Sequence, residues 1–473
     1  MERLPRPEIL ELKAKLIIFV GAGSSPEKRD IYATAKELGV RSVILDGAGS
    51  WGTSMCEDGT IAAFFPVAFD EDDDATLANM LEAVNKVREQ VGEPDGVATF
   101  MEIAVPIATR LAAKLGVPAN PIEAVMNARD KHATRRISAA AGLPTPKHAS
   151  IEGVSDLKPA ADEVGFPAVL KPVGMFQSMG VVIVDSMSKL VEAYDTVLRE
   201  LAEARAAATS TDDYRLTVAR LGVKMVLEEF LDGEEQVVDI VMQDGECVYA
   251  SVTDNWAATT SFFDCQGKFN ETGASSPSVL TAAQQAELIG LGVASTKALG
   301  FQLGVFCLNL KYTSRGARLI EINSRMGGMF VRDHNRLCWG VDLVVEHLLA
   351  TVGLRCRPPK ASEPLCASAG IYVSAEASGV VTQTDVLAQY AQLAQLAKAP
   401  DASKGGVEQP LDFAYFKPLV ARGERVLGPR DAADFPSWLC GFMLHAPTPQ
   451  DAITRAMALN HDIVRRVGIE PAQ

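Results

Sequence analysis

The run VFCLNLKYTSRGARLIEINSRMGGMFV, residues 305–331, concentrates side chains that could do chemistry. VFCLNLK and ARLIEIN alternate apolar and β-prone residues and are joined by a polar, glycine-containing turn, TSRG, a pattern that predicts a β-hairpin. Side chains two apart on a strand share a face, so Glu321 and Asn323 point the same way, and the hairpin brings Asn309 across to them. An oxygen-rich cluster of this kind suits a hard cation such as Mg2+. Arg325 and the Gly327-Gly328 pair follow directly, adding a positive charge and a backbone that a ligand can approach closely. Taken alone, the stretch could also be a half-buried hairpin with a wet edge.

The elements upstream supply further parts of a nucleotide site in order. In FPAVLKPVGMFQSMGVVIV, Lys171 ends one apolar strand and Val181 to Val184 form the next. Between them runs Gly174 to Gly180, with Ser178 inside it. Such a loop lets backbone N–H groups reach phosphate oxygens, and the adjoining lysine adds charge. It is not a P-loop, because the Gly-Lys-Ser/Thr ending and the following helix are missing. Downstream, KMVLEEFLDGEEQVVDIVMQDGECVYASV reads as three strands with turns at Asp232-Gly233 and Asp244-Gly245. Glu228, Glu229 and Glu235 crowd the first connection, which is either a solvated turn or a hinge whose carboxylates and backbone read an adenine edge and ribose hydroxyls.

The ordered set MNARDKHATRRISAAAGLPTP, AVLKPVGMFQSMGVV, VLEEFLDGEEQVVDIV and RLIEINSRMGG resembles the ATP-grasp superfamily, and within it the carnosine-synthase-like and L-amino acid ligase branch, over residues 15 to 350. The resemblance implies an α/β and α+β architecture: an ATP-grasp fold preceded by a Rossmann-like domain and followed by an α+β lid domain. It implies that Lys131 and Lys171 contact ATP phosphates under the Gly174 to Gly180 flap. The backbone of Glu228, Glu229, Phe230 and Leu231 would read adenine, and Glu235 would hold the ribose. Glu321 and Asn323 would hold Mg2+, with Mn2+ as an alternative, and Arg325 with Lys171 would stabilise the transferred phosphoryl group.

One position departs from that pattern. The resembling proteins carry an acid where this chain has Asn309, twelve residues before Glu321. An amide oxygen can ligate Mg2+ but brings no negative charge. Metal binding is then weaker, or another carboxylate compensates, Glu271 being the first to check, or activity is reduced.

Composition sets the wider frame. The 473 residues allow about three domains. A net charge of −15 without a basic run disfavours nucleic acid and points to small-molecule partners. The eight cysteines form no CxxC pair, so neither a zinc site nor a disulfide framework follows. MERLPRPEILELK lacks the apolar core of a signal peptide, and no run is long and apolar enough for a membrane span; a cytoplasmic location is the expectation.

The elements divide at residues 1–125, 126–354 and 355–473. KLIIFVGAGSS, KRDIYATAKELG and RSVILDG form a βαβ unit, but Pro26 stands where a dinucleotide fingerprint needs its third glycine. The central domain has a small lobe, 126–222, with a helix from Arg129 to Ala141, and a large lobe, 223–354. Its segment Thr253 to Pro277 reads as a long loop, and the resemblance implies that this region contacts the amino-acid substrates, making Asp254, Asn255 and Glu271 candidates for contacting substrate, together with Gly327, Gly328 and Arg332. His334 reads as structural or substrate-contacting. The last portion shows no chemical motif and is expected to close over the cleft or to form a homodimer surface.

The implied activity joins a small-molecule carboxylate and an amine, both amino acids on the resemblance, into an amide or peptide through an acyl phosphate, releasing ADP and phosphate. A ligase acting on a specialised non-amino-acid carboxylate, or an ATP-binding protein with impaired catalysis, are the alternatives.

Overall fold

The computed structural model describes residues 6–23, 28–70, 72–173, 180–207, 224–257, 271–397, 412–429, 431–432 and 436–471. Strand β1 (Leu16–Val20) is buried along its whole length, as the uninterrupted run LIIFV requires of a parallel strand covered on both faces. It lies between β2 (Arg41–Asp46) and β4 (Gly96–Ala98), with β3 (Ala63–Pro66) outermost, all parallel. Ile17 and Phe19 pack with Ile31 and Tyr32 of helix Arg29–Glu37. Leu16, Ile18 and Val20 pack on the other face with helices Asp73–Gln90 and Val105–Leu115. Strand order reverses between β1 and β4, so a crevice opens at their carboxyl ends. Glu102 sits just beyond β4 and takes part in the site described below.

The small lobe is an antiparallel sheet of β5 (His148–Ile151), β6 (Ala168–Pro172), β7 (Val182–Val184) and β8 (Met225–Glu229), ordered β5-β8-β6-β7. Helices Leu157–Val164 and Met187–Ala207 supply its core. The helix expected from Arg129 to Ala141 divides at Asp130, whose carboxylate caps Lys131–Ala140 by accepting from the Ala133 N–H at 2.8 Å. Lys131 is therefore the first residue of that helix.

The large sheet starts with β9 (Glu235–Gln243), β10 (Glu246–Ala257), β11 (Glu271–Ser276), β12 (Gly304–Thr313) and β13 (Gly316–Asn323). Asp244 and Gly245, both with positive φ, form the two-residue turn of the β9–β10 hairpin. The Asp232-Gly233 turn joins two sheets and not two strands of a hairpin: β8 belongs to the small sheet and β9 to the large one, so this connection links the lobes. The loop expected over Thr253 to Pro277 is also corrected at its ends. Residues up to Ala257 continue β10, and Glu271–Ser276 return as β11, because ladder hydrogen bonds satisfy backbone that the polar composition made look like loop. Residues 258–270 lie outside the described residues.

Beyond residue 355 come β14 (Ala367–Ser374), β15 (Gly379–Gln383), β16 (Phe413–Pro418), β17 (Arg425–Val426), β18 (Trp438–Ala446) and β19 (Gly468–Glu470). β14 pairs with β11, so one sheet, β13-β12-β9-β10-β11-β14-β18-β16, continues across that point in the sequence. The neighbouring strands β14 and β15 do not pair; β15 sits between β17 and β19 in a small separate sheet. Helix Pro449–Arg466 packs its apolar face on β14 and β18, and Asp385–Ala397 joins the same core.

Candidate active site

Three elements converge on the β12–β13 hairpin. Asn309 and Glu321 are direct cross-strand partners, and Asn323 lies two residues along β13. The Asn323 amide donates to Asn309 Oδ1 at 3.3 Å and to Glu321 Oε1 at 3.4 Å. The Asn309 amide donates in turn to Glu235 Oε1 at 2.5 Å, and Asn255 reaches the same oxygen at 3.4 Å. Burial, reinforced by the nearby Glu321 charge, raises the Glu235 carboxyl against the lowering effect of Asn309 and Lys311.

The two lysines enter from the small lobe. Lys131 Nζ lies 3.4 Å from Glu321 Oε2, and Lys171 Nζ lies 2.5 Å from Glu228 Oε2. Both are buried. Burial works to raise the Glu321 carboxyl, but Lys131 and Lys171 together hold it below the usual carboxylate range. Desolvation lowers the Lys171 amine, with Glu228 opposing it.

Glu228 is held from two sides. Arg135 Nε lies 3.0 Å from its Oε1, while a terminal nitrogen of the same guanidinium donates to Oε2 at 3.2 Å and to the Ile320 carbonyl at 2.5 Å. Burial pushes this carboxyl up, yet Arg135 and Lys171 outweigh burial and bring it to about 2. Arg135 thus ties the helix of Lys131, strand β8 and strand β13 together. Sequence reading passed over it because a guanidinium in a basic helix is normally solvated.

The linker follows. Glu229 accepts from the Lys147 N–H at 3.1 Å and pairs with Arg315 at 3.0 Å, and the Phe230 N–H donates to the Pro167 carbonyl at 3.1 Å. Leu231 is buried. Gly180 has φ +71°, and a Cβ there would fall 2.9 Å from Pro172 Cγ, so the backbone runs hard against the small sheet. Gly174 and Ser178 lie outside the described residues.

Arg325 leaves the hairpin toward the first domain. Its Nε lies 2.9 Å from Glu102 Oε2, and the Arg129 guanidinium donates to the Glu102 carbonyl at 2.7 Å. Arg325 is therefore held against the carboxyl-end crevice of the first sheet. Gly327 needs its missing side chain: a Cβ there would fall 2.5 Å from Val331 Cγ2 and 2.8 Å from Cys307 Sγ. Gly328 is open around its α-carbon.

Several candidate substrate contacts have partners within the protein. Asp254 is buried and accepts from Ser278 Oγ at 2.5 Å and from the Val279 N–H at 2.7 Å, so it fixes the chain after β11. Asn255 is buried beside Glu235 and belongs to the hairpin cluster. Arg332 makes a two-pronged pair with Asp342 at 2.9 and 2.8 Å and donates to Thr34 Oγ1 at 2.7 Å, bracing the first domain. Glu271 opens β11 opposite Ala257, and its side chain lies outside the described residues. His334 is buried with Nδ1 2.7 Å from Ser368 Oγ, and burial lowers its imidazole to about 3.

Among the described residues, no group of three or more His, Cys, Asp and Glu side chains is placed to hold a metal. In the hairpin, Glu321 Oε1 and Asn309 Oδ1 both accept from the Asn323 amide. No helix among the described residues is long and apolar enough to cross a membrane.

This arrangement, an antiparallel small lobe facing a large antiparallel sheet with lysines on one side and a carboxylate-bearing hairpin on the other, coincides with matches to family models. Residues 164–333 match the ATP-grasp domain, and residues 32–119 match the ATP-grasp N-terminal domain. The chain belongs to the ATP-grasp superfamily. Among ATP-grasp structures, that of the L-amino acid ligase from Bacillus licheniformis superposes with a TM-score of 0.72 at 18% identity, covering 98% of this chain and 100% of that one. Carnosine synthase 1 of Gallus gallus is 28% identical over 394 residues, 81% of this chain and 40% of its own length. Alanine–anticapsin ligase of Bacillus amyloliquefaciens is 23% identical over 58% of this chain and 57% of its own length. The chain thus spans about two fifths of the carnosine synthases it matches.

Proposed function

We propose that this chain is an ATP-dependent carboxylate–amine ligase that forms an amide or peptide bond. The observation that carries the reading is the meeting of Lys131 and Lys171 with Glu321, Asn323 and Asn309 across the two lobes, cations facing an oxygen-rich hairpin. The names of the relatives, carnosine synthase, alanine–anticapsin ligase and L-amino acid ligase, support amino acids as the substrate class.

In this reading a substrate carboxylate oxygen attacks the γ-phosphorus of ATP, the bond to the β-phosphate oxygen breaks, and ADP departs. The amine then attacks the acyl carbon, phosphate leaves, and the ammonium proton is released to water. Lys131 and Lys171 bind phosphate oxygens. Arg325, drawn from Glu102, faces the transferred group, where fixed positive charge is most effective. The linker Glu228 to Leu231 receives the base, Glu235 the ribose, and the Gly174 to Gly180 segment excludes water from the acyl phosphate.

The hairpin fits a hard divalent cation by the chemistry of its donors: one carboxylate, Glu321, and the amide oxygens of Asn323 and Asn309. Mg2+ or Mn2+ there would neutralise charge on the phosphate chain.

A second reading, an ATP-binding protein with reduced catalysis, is favoured by Asn309, whose amide is engaged with Glu235. Release of ADP and phosphate across a matrix of amino-acid pairs, with product masses, separates the two. A product weighing the sum of two substrates less water establishes the ligase. ATP binding without turnover for any pair moves the assignment to unusual carboxylic acids or to the impaired protein.

A further inference from the structure

Lys311 is buried on β12, two residues beyond Asn309 and on the same face, yet the mechanism above gives it no task. Its ammonium donates to the Gly233 carbonyl at 3.0 Å and to the Leu231 carbonyl at 3.3 Å, and lies 5.7 Å from the centre of the Phe230 ring. Its direct cross-strand partner on β9 is Glu235. One side chain therefore stands between the linker that would read the base and the acid that would hold the ribose.

The linker is fitted tightly to β12 at this point. Gly233 has φ +82°, and a Cβ there would fall 2.3 Å from the Tyr312 carbonyl oxygen. Asp232 accepts from the Ser314 N–H at 3.1 Å. Holding a buried ammonium is unfavourable, and desolvation lowers Lys311, with Glu235, Glu234 and Asp232 opposing that effect. A purely apolar contact would fill the same space without that cost, so the charge itself has consequences for the linker: it fixes the direction of the Leu231 and Gly233 carbonyl groups, on either side of Asp232.

We propose that Lys311 is the positioning residue of the nucleoside subsite, setting the backbone of the base-reading linker so that nucleoside affinity and base discrimination depend on it while phosphate binding does not. The inference rests on the assignment of the linker to ATP.

The test compares ADP with inorganic tripolyphosphate, which share phosphate chemistry but not the nucleoside, by calorimetry on the full-length chain and its Lys311→Met and Lys311→Arg variants. Loss of charge-assisted hydrogen bonds to two carbonyls predicts that Lys311→Met binds ADP roughly tenfold more weakly and tripolyphosphate less than about twofold more weakly. The preference for ADP over GDP falls by a similar factor. Lys311→Arg keeps a donor on the linker and recovers most of the ADP affinity, which also provides a folded variant if the methionine protein unfolds. Unchanged ADP affinity in Lys311→Met, equal losses for ADP and tripolyphosphate, or an arginine variant as weak as the methionine one would each overturn the inference. If the unaltered protein binds tripolyphosphate but shows no preference for ADP, the ATP reading of the linker falls, and the positioning role with it.

Discussion

Lys171 Nζ and Glu228 Oε2 lie 2.5 Å apart inside the small lobe, with Arg135 on the other side of the same carboxylate. Two buried cations thus share one buried anion. A phosphate-bearing ligand reaching Lys171 joins a set that is already short of negative charge, which supports anion binding at this point of the cleft.

The triad makes a pH prediction. Arg135 and Lys171 bring Glu228 down to about 2 in the fold against 4.5 for a free glutamate carboxyl, so between those values the unfolded chain binds more protons and stability rises with pH. The contribution, about 3 kcal/mol, is fully present above the unfolded value and lost as pH falls through 4.5 toward 2. Glu228→Gln strands two buried cations and is expected to cost about 3–5 kcal/mol at neutral pH. Denaturant melts of both proteins should show the gap narrowing through that acid window; a gap independent of pH would contradict the assignment.

Glu321→Gln and Arg325→Met address the chemical step. Each removes charge where phosphoryl transfer would concentrate it, and each should lower product formation by a factor of about 100 or more. The fold should persist, since the hairpin keeps its ladder and its apolar face, Leu308, Leu310 and Ile322, in the core. Circular dichroism with a product assay is sufficient, and near-normal turnover in either folded variant removes the ligase reading.

Asn309→Asp places a carboxylate against Glu235, whose Oε1 now accepts from the Asn309 amide at 2.5 Å, and beside Glu321. Without divalent cation the variant should lose about 1 kcal/mol or more at pH 8 and less at pH 5, where the pair can share a proton. Added Mg2+ should return part of the loss. Turnover rising well above the parent would show that the asparagine is an impairment; turnover falling would show that it is the working residue.

How much of this was legible depended on whether the controlling contacts were local. The hairpin and Lys171 at the end of β6 follow from alternation within a few residues, and both could be read. The role of Arg135 could not, because its partners Glu228 and Ile320 are 93 and 185 positions away. Asp232-Gly233 carries ordinary turn chemistry, and only the tertiary arrangement sends its two strands into different sheets. Nor do the neighbours of Lys311 in sequence show that its ammonium meets the Leu231 and Gly233 carbonyls, 80 and 78 positions away. Arg332 read as a substrate contact because it follows the hairpin, whereas its charge is spent on Asp342.

Asp254 offers a direct test of such a placement. It lies in a polar stretch near the cleft and, from sequence, suits an ammonium. In the fold it is an acceptor for the buried Ser278 hydroxyl and for the Val279 N–H, and burial raises its carboxyl. Asp254→Asn can keep one acceptor oxygen but sets an NH2 group toward the other donor, a conflict expected to cost about 1–3 kcal/mol. The expected pattern is a lower Tm with KM for both substrates changed less than about twofold, because the side chain reaches inward to its own backbone and not into the cleft. An unchanged Tm with a raised KM for the amine would reverse the assignment and return Asp254 to the substrate.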